Sequence, residues 1–292
     1  MLSMSDHTLQ ILAIVAAAGA GLGLAPAHRR LRGTTLTAPL VWGIASAAAV
    51  GFVELTLLRD EPSAIRPLTA SVFRYLAAAG TYRPLMAVLG AKRPQDRGWQ
   101  WVVASLWAVL ALPGVHALVT GGARMELEGP WRWFHWMLLA VSAAVYLPTK
   151  YWPAVVLAIG GQWTLLSPAL LDDRVARPAA RAAVGAALLS AAVAAAWWRT
   201  CRSEPSRSRF DVEGLQELNR RWRSFRDVWG ALWGLRVMLR VNQTAELQHW
   251  PVRLRLSGFH RIDDEQQEIT AHQSHAIDAA LDAVLRRFER RA

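Results

Sequence analysis

The chain has 292 residues but only two lysines, one cysteine and four tyrosines. A single cysteine, Cys201, excludes an intramolecular disulfide. It falls just past an apolar run, where palmitoylation is chemically open, but a bystander thiol is the plainer reading. There is no Gly-x-x-x-x-Gly-Lys-Ser/Thr loop for phosphates, no His-Glu-x-x-His zinc helix and no Gly-x-Ser-x-Gly elbow, so none of these soluble catalytic devices is expected. No basic stripe with a base-reading motif occurs either, and nucleic acid is not an expected partner.

No metal site is expected. His272 and His275 are three apart at a predicted helix start, with Asp278 beyond them and Asp263, Asp264 and Glu265 before. Helical spacing alone supplies two ligands, fewer than a metal needs, and a solvated helix terminus with acids near its amino end explains the pattern.

What the chain does have is apolar length: 53% of its residues are hydrophobic and 15 are tryptophan. Uncharged or nearly uncharged stretches long enough to cross ~30 Å of hydrocarbon lie at 8–27, 36–58, 98–120, 131–149, 151–171 and 178–198. A seventh, 68–91, is long enough but carries Arg74, Arg83 and Pro84, so it either crosses as a kinked helix or lies in the interface. No basic residue precedes the first run and Arg29, Arg30 and Arg32 follow it, the reverse of a secretory signal. It reads as a retained first helix.

Charge sets the direction of the spans. The net +11 divides as +8 over 1–199 and +3 over 202–292. Cationic loops stay cytoplasmic. Arg199, Arg202, Arg207 and Arg209 therefore place the tail inside, Asp172 and Asp173 with Arg174 and Arg177 outside, Lys150 inside, Glu126 and Glu128 with Arg124 outside, and Lys92, Arg93 and Arg97 inside. If 68–91 crosses, Arg29, Arg30 and Arg32 also fall inside and the amino terminus outside, matching its uncharged lead. The expected fold is an all-α polytopic membrane protein of six to seven transmembrane helices, seven favoured, with 1–199 as the bundle. Trp99, Trp101, Trp131, Trp133, Trp152, Trp197 and Trp198, near span ends, read as interfacial belts.

A linker at 200–210 leads into a small, mainly helical cytoplasmic domain at 211–292. From Asp211, a plausible cap, Leu215, Leu218, Trp222, Phe225, Trp229, Leu232 and Leu239 recur as one helical seam interrupted by Arg236. Alternation of Val252, Leu254 and Leu256 with Arg253 and Arg255 predicts a short strand turning at Ser257-Gly258. Thr270 and Gln273 have capping-box spacing ahead of Ile277, Leu281, Val284, Leu285 and Phe288. Within the first helix, the uncharged "VWGALWGL" would extend only about 12 Å and cannot span a bilayer. Its seam, with Trp222, Phe225, Trp229, Trp233 and Arg236, is the candidate interaction surface, against the final helix, the membrane surface or a second protein. "NQT" at 242–244 matches a glycosylation acceptor but falls on the cytoplasmic side.

The five residues "WGALW", Trp229, Gly230 and Trp233 among them, resemble the tryptophan-rich segment of haem-handling cytochrome c assembly proteins. They depart at Gly234-Leu235-Arg236, where that family continues Trp-Asp, and that segment is extracytoplasmic, so the family is not assigned.

Ionisable residues inside spans are functional candidates because they are costly there. With seven spans, Glu54, Arg74, His116 and His135 all fall in the outer leaflet. Two histidines at like depth on consecutive helices could ligate a haem or bind a quinone, with Glu54 and Arg74 pairing or handling a proton. Snorkelling to the interface is the bland alternative. The favoured function is a non-enzymatic membrane scaffold or accessory subunit whose tail contacts a protein partner, a second copy or the membrane surface. A redox or cofactor-handling protein using His116 and His135 comes second, and a small transporter, suggested by Pro84, Pro113, Pro153 and Gly160-Gly161, comes third.

Overall fold

A computed structural model describes residues 5–32, 34–59, 67–90, 97–121, 125–171, 177–202, 215–262 and 269–288. Lys92, Arg93, Arg124, Asp172, Asp173, Arg174, Arg207, Arg209, Asp211, Asp263, Asp264 and Glu265 lie outside these residues. The chain runs α1 (Asp6–Leu24), α2 (Ala27–Leu31), α3 (Thr37–Arg59), α4 (Pro67–Gly80), α5 (Arg83–Leu89), α6 (Arg97–Thr120), α7 (Gly129–Tyr146), α8 (Trp152–Leu170), α9 (Pro178–Cys201), α10 (Gln216–Leu247), β1 (Val252–Arg255), β2 (Gly258–Arg261) and α11 (Ala271–Leu285).

Among the described residues, five helical stretches are long and apolar enough to cross a membrane: Asp6–Leu31, Thr37–Arg59, Gly98–Thr120, Trp152–Leu170 and Pro178–Cys201. Two of the expected spans are not among them. Segment 131–149 forms α7, whose first turns carry Arg132 and His135. Segment 68–91 is divided between α4 and α5, because Pro84 at the start of α5 has no N–H to give and its ring would strike the carbonyl of Gly80. The carbonyls freed by this break are satisfied by side chains. Gly80 O accepts from Ser46 Oγ at 2.7 Å and Arg83 Nε at 3.0 Å, and Thr81 O accepts from Gln162 Nε2 at 3.1 Å. An apolar bundle tolerates irregular backbone only under that condition.

Small residues bring α1, α3, α8 and α9 together. Ala13, Ala17 and Ala20 of α1 and Ala182, Ala183 and Ala186 of α9 are buried. A Cβ added at Gly161 would stand 2.9 Å from Gly185 O, so α8 and α9 approach at backbone distance. Helix α6 packs on α4 and α5 and leaves Trp101, Leu112 and Val119 exposed, a face that hydrocarbon could cover. Of the tryptophans near span ends, Trp101, Trp133, Trp152 and Trp198 are exposed, whereas Trp99 and Trp197 donate to Met86 O and Gly23 O.

The C-terminal unit forms around α10. Trp222, Phe225 and Trp229 meet Ile277, Leu281, Leu285 and Phe288 of the α11 segment and Val252, Leu254 and Phe259 of the hairpin in one core. The hairpin strands pair antiparallel, Val252 with Arg261 through Arg255 with Gly258. The turn is therefore Leu256-Ser257, one residue before the expected position. Two asparagines of α10 close the hairpin's backbone account. Asn242 accepts from Leu254 N at 2.8 Å and donates to Leu254 O at 2.9 Å, and Asn219 accepts from Phe259 N at 2.7 Å. Thr270 and Gln273 make the expected capping box.

The expected seam holds as far as Trp229 and then changes. Gly230 has φ 81° and ψ 171°, which takes it out of the helical ladder. Beyond it Trp233, Val237, Val241 and Ala245 are buried, while Leu232 is only half-buried and Leu239 is exposed. The same core also includes Leu36 and Val88, with Leu31 and Tyr146 against it, so the C-terminal unit and the bundle share one apolar interior.

Two predictions follow from α10. Gly230→Ala places a Cβ 2.6 Å from Val145 Cγ1 in a left-handed backbone, and should cost about 2 kcal/mol of stability. Gly234→Ala, whose nearest neighbour would be 3.4 Å away, should be neutral or stabilising by up to ~1 kcal/mol. Thermal melts in detergent compare them, and equal losses would refute the strain at Gly230. Separately, Arg221 bridges α10 to Asp278 and Asp282 of α11, and Arg286 also bonds Asp282. Burial acts to raise the Asp282 carboxyl, but the hydrogen bonds and charges of Arg286 and Arg221 hold it below its ordinary value. Its contribution is thus fully present above about pH 3.9 and is lost as pH falls through the lowered folded value. Asp282→Asn should remove part of the acid sensitivity of the melt below about pH 4.

Candidate functional site

The most buried charge in the bundle is Glu54, 1% exposed in the last turns of α3. Arg74, on the packed neighbour α4, forks onto it, with Nε to Oε1 at 2.7 Å and Nη2 to Oε2 at 2.8 Å. An isolated carboxylate there would be strongly disfavoured, but a planar guanidinium meets both oxygens at once. The pair lines a cavity of about 90 Å3 together with Ser71, Tyr75, Met125 and Arg181. That is room for a few waters. Arg181, one turn into α9, donates from Nη1 to Ser167 Oγ at 2.9 Å. One carboxylate and two guanidiniums thus stand in its lining among the described residues.

His135 is wholly buried, its ring tilted between Tyr75 and Tyr82 at centroid distances of 5.8 and 5.9 Å. Its Nδ1 lies 2.8 Å from Trp131 O. A carbonyl can only accept, so this contact assigns the proton to Nδ1 and leaves Nε2 a bare lone pair. Among the described residues Nε2 has no hydrogen-bond partner. Neither tyrosine serves it, since Tyr75 Oη donates to Leu110 O at 2.5 Å and Tyr82 Oη to His135 O at 3.3 Å.

His116 is exposed on α6, and the structure does not bring it to His135. Helix α6 packs on α4 and α5, whereas α7 packs on α8 and α10. Equal depth on consecutive helices was the only basis for joining the two histidines, and depth says nothing about which way a helix faces. A haem or quinone held by both therefore has no shared pocket here. Among the described residues no group of three or more His, Cys, Asp or Glu is placed to hold a metal ion.

The candidate interaction surface on α10 is turned inward. Trp222, Phe225, Trp229 and Trp233 are all buried, and Phe225 stacks on Trp229 at 5.0 Å while Phe288 meets both edge-on. Trp222 Nε1 donates to Arg255 O at 2.9 Å, Trp229 Nε1 to Thr35 Oγ1 at 2.8 Å and Trp233 Nε1 to Val88 O at 2.8 Å. Two of these three indoles thus reach into the bundle. Asp227 accepts from Lys150 N at 3.4 Å and pairs with Arg226. Only Arg236 is exposed, its guanidinium 4.7 Å over the Trp233 ring.

Arg181 and Gln162 were missed as site residues, although each stands out as a polar side chain within an apolar run. Thr35 and Val88, which receive the indoles, carry no such signal.

No protein-family model, no curated protein and no solved structure matches the chain.

Removing one member of the buried pair should cost more than removing both. Glu54→Gln leaves Arg74 without its counterion in an apolar setting and should lower stability by about 3–5 kcal/mol, whereas Glu54→Leu with Arg74→Met should recover most of that. Melting of the purified protein decides it, and a double variant as unstable as Glu54→Gln would show that the pair does not act as a unit.

Proposed function

We propose that the chain is a seven-segment integral membrane protein with its amino terminus outside and its C-terminal domain cytoplasmic. In this reading it is a non-enzymatic scaffold or accessory subunit. The bundle holds the domain in one pose, and the domain contacts a partner protein or the membrane surface.

One observation carries the reading: residues 35–36 and Val88 meet the same C-terminal unit. Helix α3 extends about 34 Å from Thr37, so a chain that leaves residue 36 and is back beside the same unit at Val88 has recrossed that distance. The stretch 67–89 has the length to do so, broken or not. The end of α7 meets the unit too, through Tyr146, as an alternating path requires. Arg29, Arg30, Arg32, Lys150, Arg199 and Arg202 then fall on the domain's side, in keeping with cationic loops remaining inside. A domain joined through a common apolar core and two buried indole bonds is a fixed platform rather than a tethered tail.

The transporter reading has one observation of its own. Segment 67–89 is a discontinuous helix whose freed carbonyls lie in the bundle, and its α4 half lines the polar cavity, features that transport sites share.

A reporter fused after residue 62 should signal from outside, and a cytoplasmic signal would sink the seven-segment path. A protease site placed between residues 205 and 209 tests the platform. After cleavage in mild detergent the two halves should still co-purify, and with Trp233→Ala they should separate. Halves that part in the unsubstituted chain would overturn the scaffold reading, as would a haem absorbance abolished by His135→Ala.

A further inference from the structure

Some arginines of the C-terminal unit are tied to carboxylates and others, Arg255 and Arg261 of the hairpin among them, are exposed with no carboxylate partner among the described residues. Arg220, Arg221, Arg226, Arg253 and Arg286 are paired with carboxylates. Arg236, Arg240 and Arg287 are exposed and have no carboxylate partner among the described residues, and these three converge on one open groove of about 630 Å3 between α10 and the end of the α11 segment. Its floor is Trp233, Val237 and Phe288, and among the described residues no acidic side chain lines it.

The groove's place in the fold limits what could fill it. Its floor residue Trp233 is the one that donates to Val88 O at the end of α5, and Phe288 O accepts from Thr35 N just before α3. The groove therefore adjoins the ends of two bundle segments, where a bilayer's headgroup layer would begin. Leu235 and Leu239, on the same stretch of α10, are exposed at 42% and 59%. Exposed leucines beside unpaired guanidiniums suit a ligand that is anionic at one end and apolar at the other.

We propose that this groove binds the phosphate headgroup of an acidic phospholipid, with Arg236, Arg240 and Arg287 donating to its oxygens and Leu239 against the first acyl carbons. A guanidinium fork matches phosphate oxygens in a bidentate way that a point charge does not. The bound lipid would brace the domain against the membrane from the side opposite the hairpin-facing asparagines of α10. The proposal rests on the membrane placement argued above, since only then is the groove level with headgroups.

The test uses the full chain in neutral detergent, with bound phosphatidylglycerol or phosphatidylcholine counted by native mass spectrometry during titration. Phosphatidylglycerol should bind in preference, and the Arg236→Gln, Arg240→Gln, Arg287→Gln variant should weaken it on the order of 100-fold, taking roughly fivefold per arginine. A charge-matched variant, Arg253→Gln, Arg255→Gln, Arg261→Gln, removes the same charge from the hairpin and should bind like the unsubstituted chain. Equal binding of the two lipids, equal loss in both triple variants, or full competition by inorganic phosphate or an oligonucleotide would overturn the proposal. Co-purification of the cleaved halves is read separately, so failure of lipid binding with the halves still joined would sink the groove and leave the platform standing.

Discussion

Helix α10 lines the single apolar interior that the C-terminal unit shares with the bundle, and it leaves the helical ladder at Gly230, where it meets α7. Trp222 and Phe225 before the break and Trp233 and Val237 after it lie in that one interior, and Phe288 meets Phe225, Trp229 and Trp233 edge-on. The backbone at Gly230 itself lies against Val145, so close that a side chain there would overlap α7. Beyond the break the buried positions step by four, Trp233, Val237, Val241 and Ala245, and Leu239 is exposed. The approach of α10 to α7 at this point thus depends on a residue that lacks a Cβ.

The bundle solves a related problem in the opposite way. Pro84 forces a break in 67–89, and the chain closes it with polar side chains from other helices, Ser46 and Gln162. The Glu54–Arg74 pair follows the same rule: two groups that apolar surroundings would reject singly are accepted together. Both devices fix α4 and α5 relative to α3 and α8. Any change of angle at the break would therefore shift Val88 under Trp233, because α4 carries the ion pair and α5 carries the carbonyl that the indole holds.

How much of this was legible in the sequence depends on what each pattern measures. Long apolar runs report burial summed around a helix, so the five apolar helices, the capping box at Thr270 and the existence of the hairpin could be read directly. Polar residues in such runs report depth, which is why Glu54 and Arg74 could be suspected together. They do not report azimuth, and the pairing of His116 with His135 failed for that reason: α6 and α7 follow one another in sequence but pack on different neighbours. The seam on α10 was read with a period that assumes an unbroken helix, and glycine spacing alone did not show that Gly230 would adopt a left-handed backbone. Nor could the partners of Trp229 and Trp233 be named, because the groups that accept from them are a threonine hydroxyl and a backbone carbonyl, which leave no compositional trace.

The distribution of guanidiniums joins these observations. With two lysines against 31 arginines, the chain has committed its positive charge to a group that is planar, permanently ionised and able to meet two acceptors at once. In the bundle that property lets Arg74 meet both carboxylate oxygens of Glu54, and lets Arg83 bond a freed carbonyl while lying over the rings of Trp42 and Trp107. In the C-terminal unit it lets Arg221 hold two aspartates of α11 and Arg226 reach both Asp227 and Leu256 O. The structural demand for cations in these places is met by arginines that are each tied to a partner. Arg236, Arg240 and Arg287 have no carboxylate partner among the described residues and stand together beside an apolar floor, the arrangement on which the proposed lipid site rests.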